Sequence, residues 1–198
     1  INPKEAAKHP KWKMGNKISI DSATMMNKIL ELLEAFKIFP FNKKVYKLIV
    51  HPQSLVHAIV KFKNGITKIL YHEPSMLIPL ANAIFQYKIN INQFIKTKNK
   101  KIENLTFEEV DKKRFPVVKL LPNLNKYPSE AIIINAANEI LIDQFIKKKI
   151  SFNSISSYLF KVLKDKFYKK YAIKKPADLK SILIIDKWAR ETTLNKIK

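Results

Sequence analysis

Cysteine is absent from the 198 residues, so disulfides and thiolate chemistry are excluded, as suits a cytoplasmic chain. Glycine is nearly absent: Gly15 and Gly65 are the only two. A G-x-G-x-x-G turn needs three, so the chain holds no dinucleotide-binding βαβ unit of that kind. No apolar run is long enough to span a bilayer, and no charged segment, apolar stretch and cleavage site open the chain. Neither a membrane helix nor a signal peptide is expected. The chain starts at Ile1, and residues 1–8 read as a helical or irregular tail whose true beginning is expected upstream. Acidic residues are scarce too, 16 against 38 Lys and Arg, which leaves a net charge of +22.

Such a charge suits a polyanionic partner, because clustered Lys and Arg gain from counterion release. Here the cations are spread along nearly every segment, with only short runs at Lys98–Lys101 and Lys147–Lys149. There is no zinc-finger spacing, no aromatic-studded RNA-binding signature and no basic region feeding a heptad repeat. Enrichment in Lys, Ile and Asn reads as compositional drift, and a nucleic-acid partner is not expected. The alternative is a basic helical nucleic-acid-binding module, marked by tight binding with a steep salt dependence.

What the chain does contain is concentrated between His9 and Glu31. A polar loop with one aromatic (Trp12) and a short alternating segment lead to Asp21 and Ser22, both good N-cap residues for a helix running to about Ile38. From Met25 onward, Met25, Met26, Ile29, Leu30, Leu32, Leu33 and Phe36 fall on one side at helical spacing. Asn27, Lys28 and Glu31 lie within roughly a quarter turn of one another on the other side. With Ser22 they would suit a phosphorylated ligand beside a divalent cation held by Glu31, near a helix start that favours anions. The same face equally suits a capped, solvated helix with an ordinary Lys28–Glu31 pair.

The run HPKWKMGNKISIDSATMMNKILE closely resembles the signature of the 1-deoxy-D-xylulose 5-phosphate reductoisomerases. HPQSLVHAIV, HEPSM and INAANE resemble the same family in the same order. The resemblance implies that His9, Ser22, Asn27 and Lys28 bind the sugar phosphate. It implies that Glu31 ligates Mn²⁺, Mg²⁺ or Co²⁺ and touches substrate, and that the backbone at Gly15 meets NADPH. Trp12 and Met14 match a flap closing over the substrate, and His57 matches a histidine near the active site. Pro74 and Met76 match a loop against the nicotinamide and substrate. Implied with these are a homodimeric, cytoplasmic oxidoreductase of isoprene biosynthesis and a metal-assisted rearrangement followed by hydride reduction. The family's dinucleotide domain, two acidic metal ligands and a substrate serine precede this signature. The chain therefore reads as a C-terminal fragment, inactive alone.

Further along, Pro40 ends the helix, and strands are expected over 44–50, 55–62 and 66–71, with Asn64-Gly65 as a hairpin turn. His51, His57 and His72 show no metal-ligand spacing. A helix is expected over 77–87, and residues 90–111 read as a linker. Pro116, Pro122 and Pro128 punctuate an irregular stretch. Three helices then follow: one from Ser129 to about Lys148, one from Ser151 or Asn153 to about Tyr168, and one from Pro176 toward Ile197. Asn138 and Glu139, in the first of these, suit either functional groups or buried partners at a domain interface. The expected class is α+β: a small sheet with flanking helices, then a helical bundle. The expected divisions are 1–87 (part of a catalytic domain), 88–111 (linker) and 112–198 (helical domain).

Overall fold

The computed structural model describes residues 1–8, 15–39, 41–86, 88–94 and 104–198. In chain order the elements are α1 (Pro3–Ala6), α2 (Asn16–Thr24), α3 (Met26–Ile38), β1 (Ile49–Val50), β2 (Val56–Lys61), β3 (Thr67–Tyr71), α4 (Leu77–Ile84), β4 (Glu108–Glu109), α5 (Glu130–Ile146), α6 (Ser154–Leu163), α7 (Tyr168–Ala172) and α8 (Leu179–Ile197). Short 3₁₀ segments lie at Lys43–Val45, Ile91–Gln93 and Pro116–Asn123. The fold is α+β, helix-rich, with two small antiparallel sheets among the described residues.

Two compact units divide the chain: Ile1–Lys47 with Asp111–Lys198, and Leu48–Val110. This grouping differs from the expected divisions at 87 and 111, because residues 1–47 pack with the C-terminal helices. The core of the first unit is built around α5, which packs on α6 and α8 and meets α2 and α3. Ile133, Ile134, Ala136, Ala137, Leu141 and Ile142 leave α5 almost no exposed face. A helix apolar on most sides belongs in a core rather than on a surface. Ile20 of α2 and Met26 and Ile29 of α3 are buried with it.

The helix expected to begin at Asp21 or Ser22 is in fact two helices. α2 starts after Gly15, and both residues sit inside its last turns. The break comes at Met25, whose φ of 65° is left-handed and ends one helix while opening the next. α3 then ends at Ile38, as its apolar stripe requires. Pro40 lies outside the described residues.

Downstream, the helix expected from Ser151 or Asn153 begins at Ser154, with Asn153 as its N-cap, and stops at Leu163 rather than near Tyr168. Asp165 accepts from the Phe167 amide (2.9 Å) and pairs with Lys196 of α8 (2.8 Å), and a separate α7 follows. α8 begins after Asp178 rather than at Pro176, because Asp178 and Ser181 form a reciprocal capping box.

In the second unit, β2 and β3 form the expected hairpin. Gly65 takes a φ of 88°, and the Asn64 side-chain oxygen accepts from the Ile66 amide (3.1 Å). The pairing slips between Val56 and Ala58, which leaves His57 in a bulge. The strand expected over 44–50 shrinks to Ile49–Val50 after a 3₁₀ turn. Its partner is Glu108–Glu109, so the end of the expected linker is a strand. α4 stops at Ile84, and Tyr87 lies outside the described residues.

Candidate functional site

The α2–α3 elbow positions the polar set. Thr24 at the end of α2 donates its hydroxyl to the Ile20 carbonyl (3.1 Å) and accepts from the Met26 amide (3.4 Å), and the Met25 amide donates to the Ser22 carbonyl (3.2 Å). These bonds satisfy backbone groups that a left-handed break would otherwise leave unpaired. Beneath the elbow, Asp21 is 1% exposed and Asn138 fully buried. Asn138 donates to Asp21 Oδ1 (2.7 Å), and Lys17 Nζ pairs with Oδ2 (2.8 Å). A carboxylate out of water needs such donors on both oxygens.

Asn138 therefore ties α5 to α2 inside the first unit. Its neighbour Glu139 pairs with Arg190 of α8 (2.6 Å), whose guanidinium also binds Asp186. Those two carboxylates hold the Arg190 guanidinium well above its ordinary pKa. Of the two readings left open for Asn138 and Glu139, the structure makes both structural ties.

On the first turns of α3, Asn27, Lys28 and Glu31 come together. The Asn27 amide donates to Glu31 Oε1 (2.8 Å), and the Lys28 ammonium pairs with Oε2 (2.8 Å). Lys28 and Glu31 keep about half their side-chain surface, 51% and 48%. The cluster presents an ammonium, an amide and a carboxylate to solvent, with each Glu31 oxygen held by a neighbour. Ser22 is half-buried across the elbow on α2, and no hydrogen bond joins its side chain to the trio among the described residues. The N-cap role expected for Asp21 and Ser22 is not realised. Asp21 is a buried tie instead, a role signalled only by Lys17 four residues before it.

Gly15 is the N-cap of α2 with a φ of −64°, which any residue adopts, and among the described residues nothing lies within 4 Å of where a Cβ would stand. Neither packing against the described residues nor backbone strain demands glycine there. His9, Trp12 and Met14 lie outside the described residues. His57, Pro74 and Met76 belong to the second unit. His57 stacks on His72, with ring centres 3.7 Å apart, and its Nε2 lies 3.1 Å from the His72 carbonyl oxygen. Pro74 is half-buried in the loop before α4, and Met76 is the exposed N-cap of that helix.

No group of three or more His, Cys, Asp or Glu suited to a metal ion occurs among the described residues. Glu31 therefore fits as one ligand of a divalent cation and not as a complete site, since such ions take about six oxygen ligands.

A family model described as DXP reductoisomerase C-terminal domain matches residues 72–192, and a second, 1-deoxy-D-xylulose 5-phosphate reductoisomerase C-terminal domain, matches residues 1–39. The 1-deoxy-D-xylulose 5-phosphate reductoisomerase of Pelagibacter ubique (strain HTCC1062) is 44% identical over 187 residues, 92% of this chain and 47% of that protein. The one from Prosthecochloris aestuarii is 38% identical over 97% of this chain and 49% of its own length. Among solved structures, a DOX-P reductoisomerase in complex with NADPH, fosmidomycin and magnesium superposes with a TM-score of 0.90. It is 33% identical, covering all of this chain and 50% of that one. The Zymomonas mobilis reductoisomerase in complex with NADPH gives a TM-score of 0.82 at 31% identity, with the same coverage of both chains. The chain spans about half the length of the curated relatives it matches.

Proposed function

The chain belongs to the 1-deoxy-D-xylulose 5-phosphate reductoisomerase family, and from that premise we propose that it is the C-terminal part of an NADPH-dependent enzyme. That enzyme converts 1-deoxy-D-xylulose 5-phosphate to 2-C-methyl-D-erythritol 4-phosphate in isoprene biosynthesis. The observation that carries the reading is the Asn27–Lys28–Glu31 cluster on the first turns of α3. Residues 1–87 contribute to the catalytic part, 88–111 join it to the rest, and 112–198 form the supporting helical part.

In this reading Lys28, Asn27 and Ser22 bind the substrate phosphate, joined by His9. When the phosphate arrives, Lys28 and Asn27 exchange Glu31 for it. That charge-assisted contact is stronger than an exposed ion pair. The exchange frees both Glu31 oxygens, one metal ligand among others supplied from outside the described residues. Phosphate binding far from the reacting carbons thus orients the reacting end. Trp12 and Met14 close over the substrate and exclude water, His57 serves near the active site, and Pro74 and Met76 contact the nicotinamide and substrate. Bound Mg²⁺, Mn²⁺ or Co²⁺ supplies Lewis-acid polarisation of the sugar oxygens, and NADPH, met by the backbone at Gly15, supplies hydride.

The enzyme is read as a cytoplasmic homodimer. The exposed apolar residues Val60, Ile69 and Leu70 on the β2–β3 hairpin support the dimer, and no described helix is long and apolar enough to cross a membrane. The test is NADPH oxidation with the sugar phosphate and a divalent metal, comparing the full-length protein with the isolated 198 residues. Turnover by the full-length protein alone is expected. No turnover by the full-length protein would overturn the activity, and turnover by the isolated chain would overturn its incompleteness.

A further inference from the structure

A cavity of about 300 Å³ lies beside the elbow, between the end of α2, the segment before the Pro116–Asn123 turn and the start of α6, and none of Asn27, Lys28 and Glu31 lines it. Its polar wall is Lys113, Arg114, Thr24, Asn153 and Ser156, and its apolar wall is Phe152 and Pro116. No carboxylate lines it among the described residues. Neither Lys113 nor Arg114 takes part in an ion pair among the described residues. The Arg114 guanidinium carbon lies over the Phe115 ring, 5.2 Å from its centre.

Ser156 provides an independent sign. The residue is 8% exposed and lines the cavity, where its hydroxyl can both donate to and accept from a ligand. Asn153, the N-cap of α6, also leaves its side chain unused for capping, and the start of this ten-residue helix adds partial positive charge. Ser22 and Thr24 are two residues apart on α2, about 200° around the helix. The cavity is therefore not the face that carries Ser22.

We propose that this cavity binds a small organic phosphate. The phosphoryl group is held by Lys113, Arg114 and the Ser156 hydroxyl, and the organic part rests on Phe152 and Pro116. Two cations without carboxylate partners favour a doubly charged oxyanion, and the apolar wall favours an ester over the free ion.

The test is calorimetric titration of the full-length protein with phenyl phosphate and inorganic phosphate, done in the Lys28→Gln background to silence the proposed substrate site. Saturable binding of phenyl phosphate is expected, at least about threefold tighter than inorganic phosphate. The exposed double variant Lys113→Gln/Arg114→Gln should weaken it by about tenfold or more, and Ser156→Ala should weaken it severalfold. The control Lys169→Gln/Lys170→Gln removes equal charge elsewhere and should leave binding unchanged. Undiminished binding in the first double variant, equal loss in the control, or equal affinity for the two probes would overturn the proposal. The titration reads binding without turnover, so its outcome is separable from that of the activity assay.

Discussion

Asp21 is a buried carboxylate whose two oxygens are divided between Asn138 and Lys17. Replacing Asn138 by Ala strips one oxygen of its donor and leaves it in a medium that does not solvate it. We expect a loss of about 3 kcal/mol in urea unfolding, with kcat falling as well because the elbow is no longer fixed. Lys28 is the opposite case. Its pair with Glu31 is half exposed, and such pairs contribute within about 0.5 kcal/mol. Lys28→Gln should therefore leave the unfolding midpoint nearly unchanged while raising the KM for the sugar phosphate by about tenfold or more. A stability loss as large as that of Asn138→Ala would show that Lys28 serves the fold. The grouping of Asn27, Lys28 and Glu31 was legible from spacing alone, since helical periodicity survives any error in the helix start. The tie through Asn138 was not, because a contact spanning 117 positions leaves no local trace.

At the scale of elements, the hairpin and the end of α3 followed from local chemistry. Asn64-Gly65 forces a turn, and the apolar stripe of α3 runs out at Ile38. Gly65→Ala should destabilise the hairpin by about 1 kcal/mol through the cost of a positive φ, read as faster amide exchange in β2 and β3. The split of α2 from α3 was illegible, since Met25 carries no sequence mark of a left-handed break and Asp21 imitates a cap. Two-residue strands such as β1 and β4 were equally hidden. Their pairing joins positions about sixty apart, too short for any periodicity.

The start of α5 carries a pH dependence. Burial holds the Glu130 carboxyl above its ordinary value of 4.5, against the backbone N–H bonds from Tyr127 and Lys126 that pull it down. The folded state thus keeps this proton more tightly than the unfolded one, and stability falls as pH rises from the unfolded value through the folded one. Relative to Glu130→Gln, the natural protein should lose stability as pH rises above 4.5, read in urea midpoints. A gain over that range would contradict the assignment.

For the whole molecule, the net charge of +22 is the feature most open to misreading. Chance attraction to nucleic acid at low salt follows from it, with a steep fall as salt rises and no sequence preference. The account instead rests on one joint claim, that Lys28 serves the phosphate while Glu31 serves the metal. The most direct measurement is the Mg²⁺ dependence of NADPH oxidation by full-length Glu31→Gln with saturating sugar phosphate. The account predicts a kcat lower by on the order of a hundredfold and a right-shifted Mg²⁺ requirement, with the unfolding midpoint preserved. Natural turnover with an unaltered Mg²⁺ requirement would contradict it.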